Sequence, residues 1–331
     1  MIRGVNMLIV RSPLRISLGG GGTDLPSYYE ENEGFLITAA INKFVYLTMH
    51  ENFEDEILVK YSKTEKTRDV NDIRHPIFRE CIKMLELQDE SFEIQSMADI
   101  PAGTGLGSSS SFTTALLKCL HEYKGELVDT EKLAQEACEI EMVRLKEPIG
   151  KQDQYIASYG GIRAMWFRKD GTVDVESLNM SRETLYNLED NLVLYFTGFE
   201  RSASQILKEQ DDKTKASDSG MKQNLDMVKQ MGLDSKAAFE KGDLRAFADI
   251  MNHHWEIKKK RSNAMSNPRI DEWYDHAMKN GALGGKLIGA GGGGFLMFYS
   301  EDKVKLREAM LGSGLKEVRF RFENQGTRLI Y

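Results

Sequence analysis

The sequence predicts an α+β fold of two domains. Runs of β-branched and aromatic residues bounded by glycine occur early in the chain and again near its end, while amphipathic helical patterns fill the middle. Strands and helices do not alternate in the strict order of a parallel α/β sheet. A chain of 331 residues is also longer than most single domains, so we expect one domain at 1–190 and a second at 191–331.

The strands are predicted from short apolar runs and from alternation. The run 92–97 alternates apolar and polar residues before Pro101, which indicates a half-buried strand that leads into a glycine-rich loop. The other predicted strands are 7–10, 35–40, 45–50, 56–61, 161–167, 192–197, 295–299, 317–322 and 327–331.

The helices are predicted from apolar residues at helical spacing. In 130–146, Thr130 is suited to cap the N-terminus, and Leu133 and Ala137 begin the apolar stripe. The polar segment 201–232 predicts a mobile loop or an exposed helix pair. The remaining predicted helices are 110–123, 235–241, 244–261, 270–279 and 303–310.

Composition narrows the class of protein. A hydrophobic fraction of 41% and a charged fraction of 29% are ordinary for a globular enzyme, and the formal net charge of -7 argues against nucleic-acid binding. The short basic runs 258–261 and 303–307 are typical of solvated helix faces. No stretch approaches 18 apolar residues, and Cys81, Cys119 and Cys138 lack metal-binding or CxxC spacing. We therefore expect a cytoplasmic protein that binds neither nucleic acid nor membranes.

The most informative segment is the glycine-rich run 101–111, PAGTGLGSSSS, which leads into a predicted helix. Gly103, Gly105 and Gly107 allow a tight turn, and a helix N-terminus presents free main-chain N–H groups to an anion. The serine hydroxyls add donors for phosphate and ligands for a hard cation. The run lacks the lysine of a Walker loop, and Ser108 replaces the third glycine of a dinucleotide fingerprint. A phosphate is therefore the predicted ligand.

Three glycine-rich motifs resemble those of the GHMP kinases, a family that includes galactokinase, homoserine kinase and mevalonate kinase. The run 101–111 is similar to the central ATP-binding motif, 11–29 (RSPLRISLGGGGTDLPSYY) to the first motif and 286–295 (KLIGAGGGGF) to the third. The resemblance implies a ribosomal protein S5-like N-terminal domain, a ferredoxin-like C-terminal domain, an active site in the cleft between them, and ATP and Mg²⁺ as cofactors. The nucleotide-binding residues it implies are Pro101, Gly103, Thr104, Gly105, Leu106, Gly107, Ser108, Ser109 and Ser110.

Within the family, the segments 19–26 (GGGGTDLP) and 150–161 (GKQDQYIASYGG) resemble the sugar 1-kinases of the heptose and fucose type. Galactokinases carry an acid and a histidine where this chain has glycine, which argues against galactose. The resemblance implies phosphorylation of the anomeric C1 hydroxyl of D-glycero-D-manno-heptose 7-phosphate, giving the 1,7-bisphosphate. L-fucose or another free sugar, a catalytically silent sugar sensor and an isoprenoid-pathway kinase or decarboxylase are the alternatives.

The resemblance assigns the chemistry to Asp153 and Arg15. The aspartate matches the residue that accepts the proton of the sugar hydroxyl, although it is also placed to cap a helix beginning at Gln154. Arg15 matches a cation beside that aspartate, where it would offset developing negative charge, although an isolated arginine would more often form a surface salt bridge. The implied magnesium ligands are Ser108, Ser109 and Glu141, with Glu136 and Glu139 as competitors for the place of the glutamate.

The implied substrate-binding residues surround the sugar. They are Gly21, Gly22, Thr23, Asp24, Asp153, Lys286, Gly292 and Gly293, although the aspartate at 24 and the glycines of 291–294 would also suit simple turns. A substrate phosphate requires a cationic pocket, for which the sequence offers Lys43, Arg163, Arg201 and Lys286 without choosing among them. The segment 61–65 is the expected adenine contact. The expected partner is a small-molecule sugar phosphate, and the chain is expected to be a monomer or a homodimer.

Overall fold

The computed structural model describes residues 7–199, 203–216, 219–262 and 264–331. Two mostly antiparallel sheets with surrounding helices confirm the α+β prediction. The strands are β1 (Leu8–Gly19), β2 (Gly34–Glu51), β3 (Ile57–Lys60), β4 (Thr64–Thr67), β5 (Phe92–Ala98), β6 (Ile162–Phe167), β7 (Val173–Ser177), β8 (Leu192–Phe196), β9 (Gly284–Leu287), β10 (Phe295–Tyr299), β11 (Lys316–Val318) and β12 (Arg328–Leu329). The helices are α1 (Pro26–Asn32), α2 (Pro76–Met84), α3 (Ser108–Lys124), α4 (Thr130–Cys138), α5 (Gln152–Tyr159), α6 (Arg182–Asn191), α7 (Ala203–Lys215), α8 (Ser219–Lys241), α9 (Leu244–Lys259), α10 (Pro268–Lys279) and α11 (Lys303–Gly312).

The larger sheet carries most of the first half of the chain. Its strand order is β12-β1-β2-β5-β3-β4, and β6 and β7 extend it from the other half of β2. All of these pairs are antiparallel except β3 with β5. Because β12 pairs with β1, the end of the chain returns to this sheet. The division at 190/191 stays a prediction.

The smaller sheet has the order β11-β8-β10-β9, and its pairs are antiparallel. Strand β10 is buried at every position and alternates between two apolar clusters. Leu296 and Phe298 pack with Trp255 of α9 and with α10, whereas Phe295 and Met297 belong to the cluster that contains the apolar face of β1. Strand β10 therefore joins the core of the smaller sheet to that of the larger one.

Strand β2 is one strand of 18 residues, where the sequence predicts two at 35–40 and 45–50. Its register with β1 shifts at 42–43, which form a bulge, so the strand continues past the polar residues that looked like a break. The two halves also have different neighbours, because β6 pairs with the first half and β5 with the second.

The helices differ from the predictions in three places. The predicted helix 130–146 divides into α4 and a π-helical turn, Glu139–Arg144. The segment 201–232 is not a mobile loop or an exposed pair where it is described, because α8 buries Met221, Leu225 and Val228. The short helices α1, α2 and α6 have no counterpart among the predicted elements, and α5 begins two residues before the helix start predicted at Gln154. Across the described ranges, none of the helices has the combined length and apolar character needed to cross a membrane.

Candidate active site

A cavity of about 360 Å³ is lined by residues of all three glycine-rich motifs. The predicted site residues that line it are Arg15, Gly21, Gly22, Asp24, Gly103, Gly105, Gly107, Ser108, Ser109, Ser110, Glu141, Asp153, Lys286 and Gly293. The structure therefore brings together most of the residues that the sequence analysis selected, from segments far apart in the chain.

Five predicted site residues do not line the cavity, namely Pro101, Thr104, Leu106, Thr23 and Gly292. The hydroxyl of Thr23 lies 2.9 Å from the carbonyl oxygens of Gly20 and Phe35. The hydroxyl of Thr104 donates to the Pro101 carbonyl at 3.0 Å. The Leu106 carbonyl accepts from the Arg15 N–H at 3.0 Å, and the Gly292 N–H donates to the Met265 carbonyl at 2.9 Å. These residues shape the loops that carry the site.

The central glycine loop presents an open helix N-terminus to the cavity. Helix α3 begins at Ser108 behind Gly107, whose φ of 75° is left-handed, and among the described residues no side chain caps it. Its first N–H groups are therefore free to bind an anion. An added Cβ at Gly105 would lie 2.9 Å from the Ile288 carbonyl oxygen, and one at Gly107 would lie 3.2 Å from Oδ2 of Asp153. Only glycine permits both the conformation and these approaches.

The third glycine loop packs directly on the central one. An added Cβ at Gly294 would overlap the Thr104 carbonyl, and one at Gly289 would lie 2.6 Å from the Cα of Gly105. The φ angles of Gly289 and Gly294 are 85° and 97°, in the region that other residues rarely adopt. The glycines of this loop therefore serve a close approach between two backbones, which a simple turn before β10 would not require.

Arg15 and Asp153 form a bidentate ion pair in the cavity. The distances are 2.7 Å from Nε to Oδ1 and 2.7 Å from Nη2 to Oδ2, and Nη1 donates to the Gly105 carbonyl at 2.6 Å. The arginine side chain is 9% exposed and the aspartate side chain 25%, so the carboxylate is reachable from the cavity. Helix α5 begins at Gln152 with Lys151 at its N-cap, so Asp153 does not cap it. The carboxylate is held by the arginine instead.

Glu141 lies in the π-helical turn and is only 1% exposed. Its carboxylate accepts four side-chain hydrogen bonds, from Ser109 (2.8 Å), Ser110 (2.7 Å), Thr113 (3.1 Å) and Gln154 (2.6 Å). Burial raises the pKa of this carboxyl, and the hydrogen bonds oppose that effect. The two competitors do not line the cavity, and Glu136 instead lies 2.7 Å from His121.

Asp24 links the first motif to the segment before α5. Its carboxylate accepts hydrogen bonds from the main-chain N–H groups of Gly22 and Gln152, both at 3.2 Å. Burial raises the pKa of this carboxyl, and the charge of Asp153 raises it further. A Cβ added at Gly150 would overlap the carboxylate of Asp24. Glycine at 150 is thus a condition for the position of Asp24.

Three buried basic residues, Lys258, Arg261 and Lys286, line another side of the cavity and are called the cationic wall. Their exposed fractions are 8%, 4% and 3%. The expectation that 258–261 forms a solvated helix face is wrong for Lys258 and Arg261. Lys258 packs against β9 and the third glycine loop, and Arg261 contacts Asn224 of α8 and Gly21 of the first motif. The ammonium group of Lys258 donates to the carbonyls of Leu287 and Gly289.

The four candidate donors for a substrate phosphate lie in different places. Lys286 belongs to the cationic wall, while Lys43 and Arg163 do not line the cavity. Arg163 instead donates from Nε to the Gly160 carbonyl at 2.8 Å. Arg201 lies outside the described residues.

Family models match two parts of the chain, "GHMP kinases N terminal domain" over 76–161 and "GHMP kinases C terminal" over 235–314. The chain is also 31% identical over 306 residues to D-glycero-alpha-D-manno-heptose 7-phosphate kinase of Campylobacter jejuni, a match that covers 89% of this chain and 90% of that protein. The chain belongs to the GHMP kinases. GHMP kinases use ATP as the phosphate donor. The match to a heptose kinase identifies this chain as a GHMP sugar kinase.

Other GHMP kinases match along nearly the whole chain. The L-fucokinase/L-fucose-1-P guanylyltransferase of Bacteroides fragilis is 26% identical over 339 residues, which cover 91% of this chain and 35% of that protein. The crystal structure of a D-glycero-D-manno-heptose 1-phosphate kinase from Bacteroides thetaiotaomicron superposes with a TM-score of 0.81 at 28% identity, covering 98% of this chain and 99% of the other.

The cavity fits the ATP that GHMP kinases use. Its glycine loop has no Cβ to exclude a triphosphate, and α3 offers free N–H groups to it. The hydroxyl and carboxylate oxygens of Ser108, Ser109 and Glu141 suit Mg²⁺, which prefers oxygen ligands. Apolar lining comes from Pro76, Ile77, Leu145 and Ile149, which suits the flat base of a nucleotide. The expected adenine segment 61–65 does not line the cavity.

Three residues that line this cavity were not predicted as site residues from the sequence, namely His254, Lys258 and Arg261. Each lines the cavity, and each is buried. Together with the buried Met251 they follow helical spacings of three and four residues, so they continue one apolar face of α9. That spacing could have predicted that these residues face the interior, but basic residues in a short run are usually taken as a solvated face.

Lys286 makes the stability of the folded chain depend on pH. Burial lowers its pKa to about 7, aided by the charges of Arg261 and Arg15, while the unfolded chain restores the ordinary value of 10.5. Between these values the unfolded state binds more protons, so stability rises with pH by up to about 1.4 kcal/mol per unit. Urea titrations at pH 7, 8 and 9 should therefore show the wild type gaining stability relative to Lys286→Met. Parallel curves would show that the pKa of Lys286 is not lowered in the folded chain.

Proposed function

We propose that this chain transfers the γ-phosphoryl group of ATP to the anomeric C1 hydroxyl of D-glycero-D-manno-heptose 7-phosphate, giving the 1,7-bisphosphate and ADP. The observation that carries the proposal is the Arg15–Asp153 pair, which stands beside the glycine loop and the open N-terminus of α3. A carboxylate held there is placed to receive a proton next to a bound triphosphate. The heptose 7-phosphate kinase relative supports the choice of acceptor.

In the proposed step, Asp153 accepts the proton of the C1 hydroxyl as that oxygen bonds to the γ-phosphorus. The bond between this phosphorus and the bridging oxygen of ADP breaks. Arg15 contacts both carboxylate oxygens, so it orients Asp153, and its charge offsets the negative charge that develops nearby. Asp24 is the proposed acceptor for hydroxyls of the sugar, and the cavity-lining Gly21, Gly22 and Gly293 let the backbone approach the sugar closely.

Ser108, Ser109 and Glu141 are the proposed ligands of Mg²⁺. Held by these oxygens, Mg²⁺ would supply positive charge that offsets the negative charge of the phosphates during transfer. The Ser109 hydroxyl and the Glu141 carboxylate are 2.8 Å apart, so both oxygens already converge on the same part of the cavity. Ser108 lines that cavity at the first position of α3.

The acceptor has two rivals. The relative named as an L-fucokinase favours a free sugar as the second candidate. The structural neighbour is named for a heptose 1-phosphate, whose C1 oxygen is already phosphorylated, so that substrate would react at another carbon. The carbon that receives phosphate is therefore a separate question from the identity of the sugar.

The test is a panel of acceptors with purified protein, ATP and Mg²⁺. The panel contains heptose 7-phosphate, heptose 1-phosphate, L-fucose, galactose and mevalonate, and phosphorus NMR identifies the carbon that is phosphorylated. We expect the highest kcat/KM for heptose 7-phosphate and a new phosphate coupled to the anomeric proton. Turnover of L-fucose with none of heptose 7-phosphate would overturn the acceptor, and phosphate on another carbon would overturn the position. No turnover of any sugar would favour a silent sensor.

Gly150→Ala should impair the binding and turnover of the sugar without affecting the binding of the nucleotide. The new Cβ would overlap the Asp24 carboxylate, which must then move away from its main-chain donors. A displacement of this size costs about 100-fold in kcat/KM for the sugar, because the proposed hydroxyl acceptor is misplaced. The matched control is Gly312→Ala, since a Cβ there meets no atom within 4 Å. If the KM and kcat for the sugar were unchanged, Asp24 would not be a sugar-binding residue.

A further inference from the structure

The hydrogen bonds that the cationic wall makes to other described residues all go to uncharged groups. Within the described residues, no carboxylate forms an ion pair with Lys258, Arg261 or Lys286, and their closest acceptors are uncharged. The acceptors are the main-chain carbonyls of Leu18 (3.0 Å from Lys286), Leu287 and Gly289 and the amide oxygen of Asn224 (2.9 Å from Arg261). Burial lowers the pKa of Lys286 to about 7 and that of Arg261 to about 10, and for Arg261 the charge of Asp24 only partly opposes this effect.

Two polar atoms beside the wall also lack partners. Nη2 of Arg261 and Nε2 of His254 are buried and have no hydrogen-bond partner among the described residues. Both side chains line the cavity, and their exposed fractions are 4% and 3%. Buried polar atoms are normally satisfied, so the unpaired guanidinium N–H of Arg261 indicates a ligand that accepts hydrogen bonds. Nε2 of neutral His254 donates or accepts according to its tautomer.

The wall lies against the sugar-side motif. Arg261 Nη1 is 3.3 Å from the Gly21 carbonyl oxygen, and a Cβ on Gly22 would lie 2.7 Å from the same nitrogen. Lys286 bonds to the end of β1, just before that turn. The open N-terminus of α3 lies at the neighbouring central glycine loop, which Arg15 contacts through the Gly105 carbonyl, whereas Arg261 and Lys286 contact the first motif and the end of β1.

We propose that Lys258, Arg261 and Lys286 bind a phosphate group that the sugar substrate itself carries, and that they select phosphorylated over free sugars. This inference rests on the proposed function, because it requires the sugar to lie with C1 at Asp153. A phosphate dianion offers several acceptor oxygens and the charge that the wall lacks. Sugar hydroxyls are neutral and would leave the buried charges uncompensated.

The test uses Lys286→Met and Lys258→Met, which each remove one charge and keep a side chain of similar length. For each variant, the ratio of kcat/KM for heptose 7-phosphate to that for the same heptose without phosphate should fall by about 100-fold, because one charge-assisted contact to a buried dianion is lost. The matched control is Lys229→Met. Lys229 on α8 also donates to a main-chain carbonyl, that of Asn32 at 2.8 Å, but it does not line the cavity.

A binding measurement separates this inference from the proposed function. Calorimetric titration of both sugars, with a non-hydrolysable ATP analogue present, reports the preference without turnover. A wild type that binds the two sugars equally, or wall variants that keep the wild-type preference, would overturn the role of the wall. A preference that the wall variants lose, in a protein that phosphorylates neither sugar, would overturn the kinase reaction and leave the phosphate site standing.

Discussion

Asp153→Asn is expected to lower kcat by about 10³-fold, within the range that a general base contributes. The amide matches the carboxylate in size but cannot take up the proton, and its NH₂ group faces an N–H of Arg15 rather than accepting from it. The KM for ATP should change only slightly, because the glycine loop and the N-terminus of α3 are untouched. Steady-state kinetics at saturating ATP, with the sugar varied, measures both constants.

Asp174→Asn is the matched control for this variant. Asp174 pairs with Arg168 at 2.6 Å, outside the cavity, so the change removes an aspartate–arginine pair without touching the site. The control should melt near the wild type, since an exposed pair contributes about 1 kcal/mol or less. A thermal melt of Asp153→Asn then separates any loss of stability from the loss of the base, because Arg15 is largely buried. A kcat for Asp153→Asn within tenfold of the wild type would exclude the carboxylate as the base.

Elements that are marked by a pattern of neighbouring residues were predictable from the sequence. Strand β5 and helix α3 lie within two residues of the predicted 92–97 and 110–123, because apolar periodicity is a property of neighbouring residues. The π-helical turn after α4 was not predictable in this way. Its geometry places Glu141 against donors on α3 and α5, which come from distant parts of the chain. The single helix predicted for 130–146 rests on the spacing of its own apolar residues, and that spacing carries no information about contacts with α3 and α5.

The site was predictable to the extent that glycine motifs mark it. The contact between Arg15 and Asp153 spans 138 residues, and only the resemblance to a kinase family indicated that they meet. The burial of Lys258 and Arg261 could not be predicted from the sequence, for a different reason. Charged residues at the end of a helix are normally solvated. The burial of Lys258 depends on packing against β9 and the third glycine loop, and that of Arg261 on contacts with α8 and the first motif. Long-range packing, not local composition, decides which basic residues face the substrate.

Glu141→Gln is expected to lower activity by about 100-fold at limiting Mg²⁺ and to raise the Mg²⁺ concentration needed for half-maximal rate, because a charged oxygen ligand is lost. The fold should tolerate the change. Gln154 now donates to Oε2 of Glu141, while its own Oε1 is buried without a partner among the described residues. Rotation of that amide would let Oε1 accept from the new glutamine, so the hydrogen-bond cluster survives without its charge. Kinetics over a Mg²⁺ series and a thermal melt measure the two effects.

Glu136→Gln is the matched control, since Glu136 lies five residues earlier, binds His121 at 2.7 Å and does not line the cavity. Its Mg²⁺ dependence should equal that of the wild type. If Glu141 only orders the serines of α3, then Glu141→Gln would lose activity in proportion to its loss of stability, with the Mg²⁺ requirement unchanged. A melting temperature close to the wild type together with a raised Mg²⁺ requirement separates the ligand role from the structural one, because removal of a buried charge does not by itself destabilise the fold.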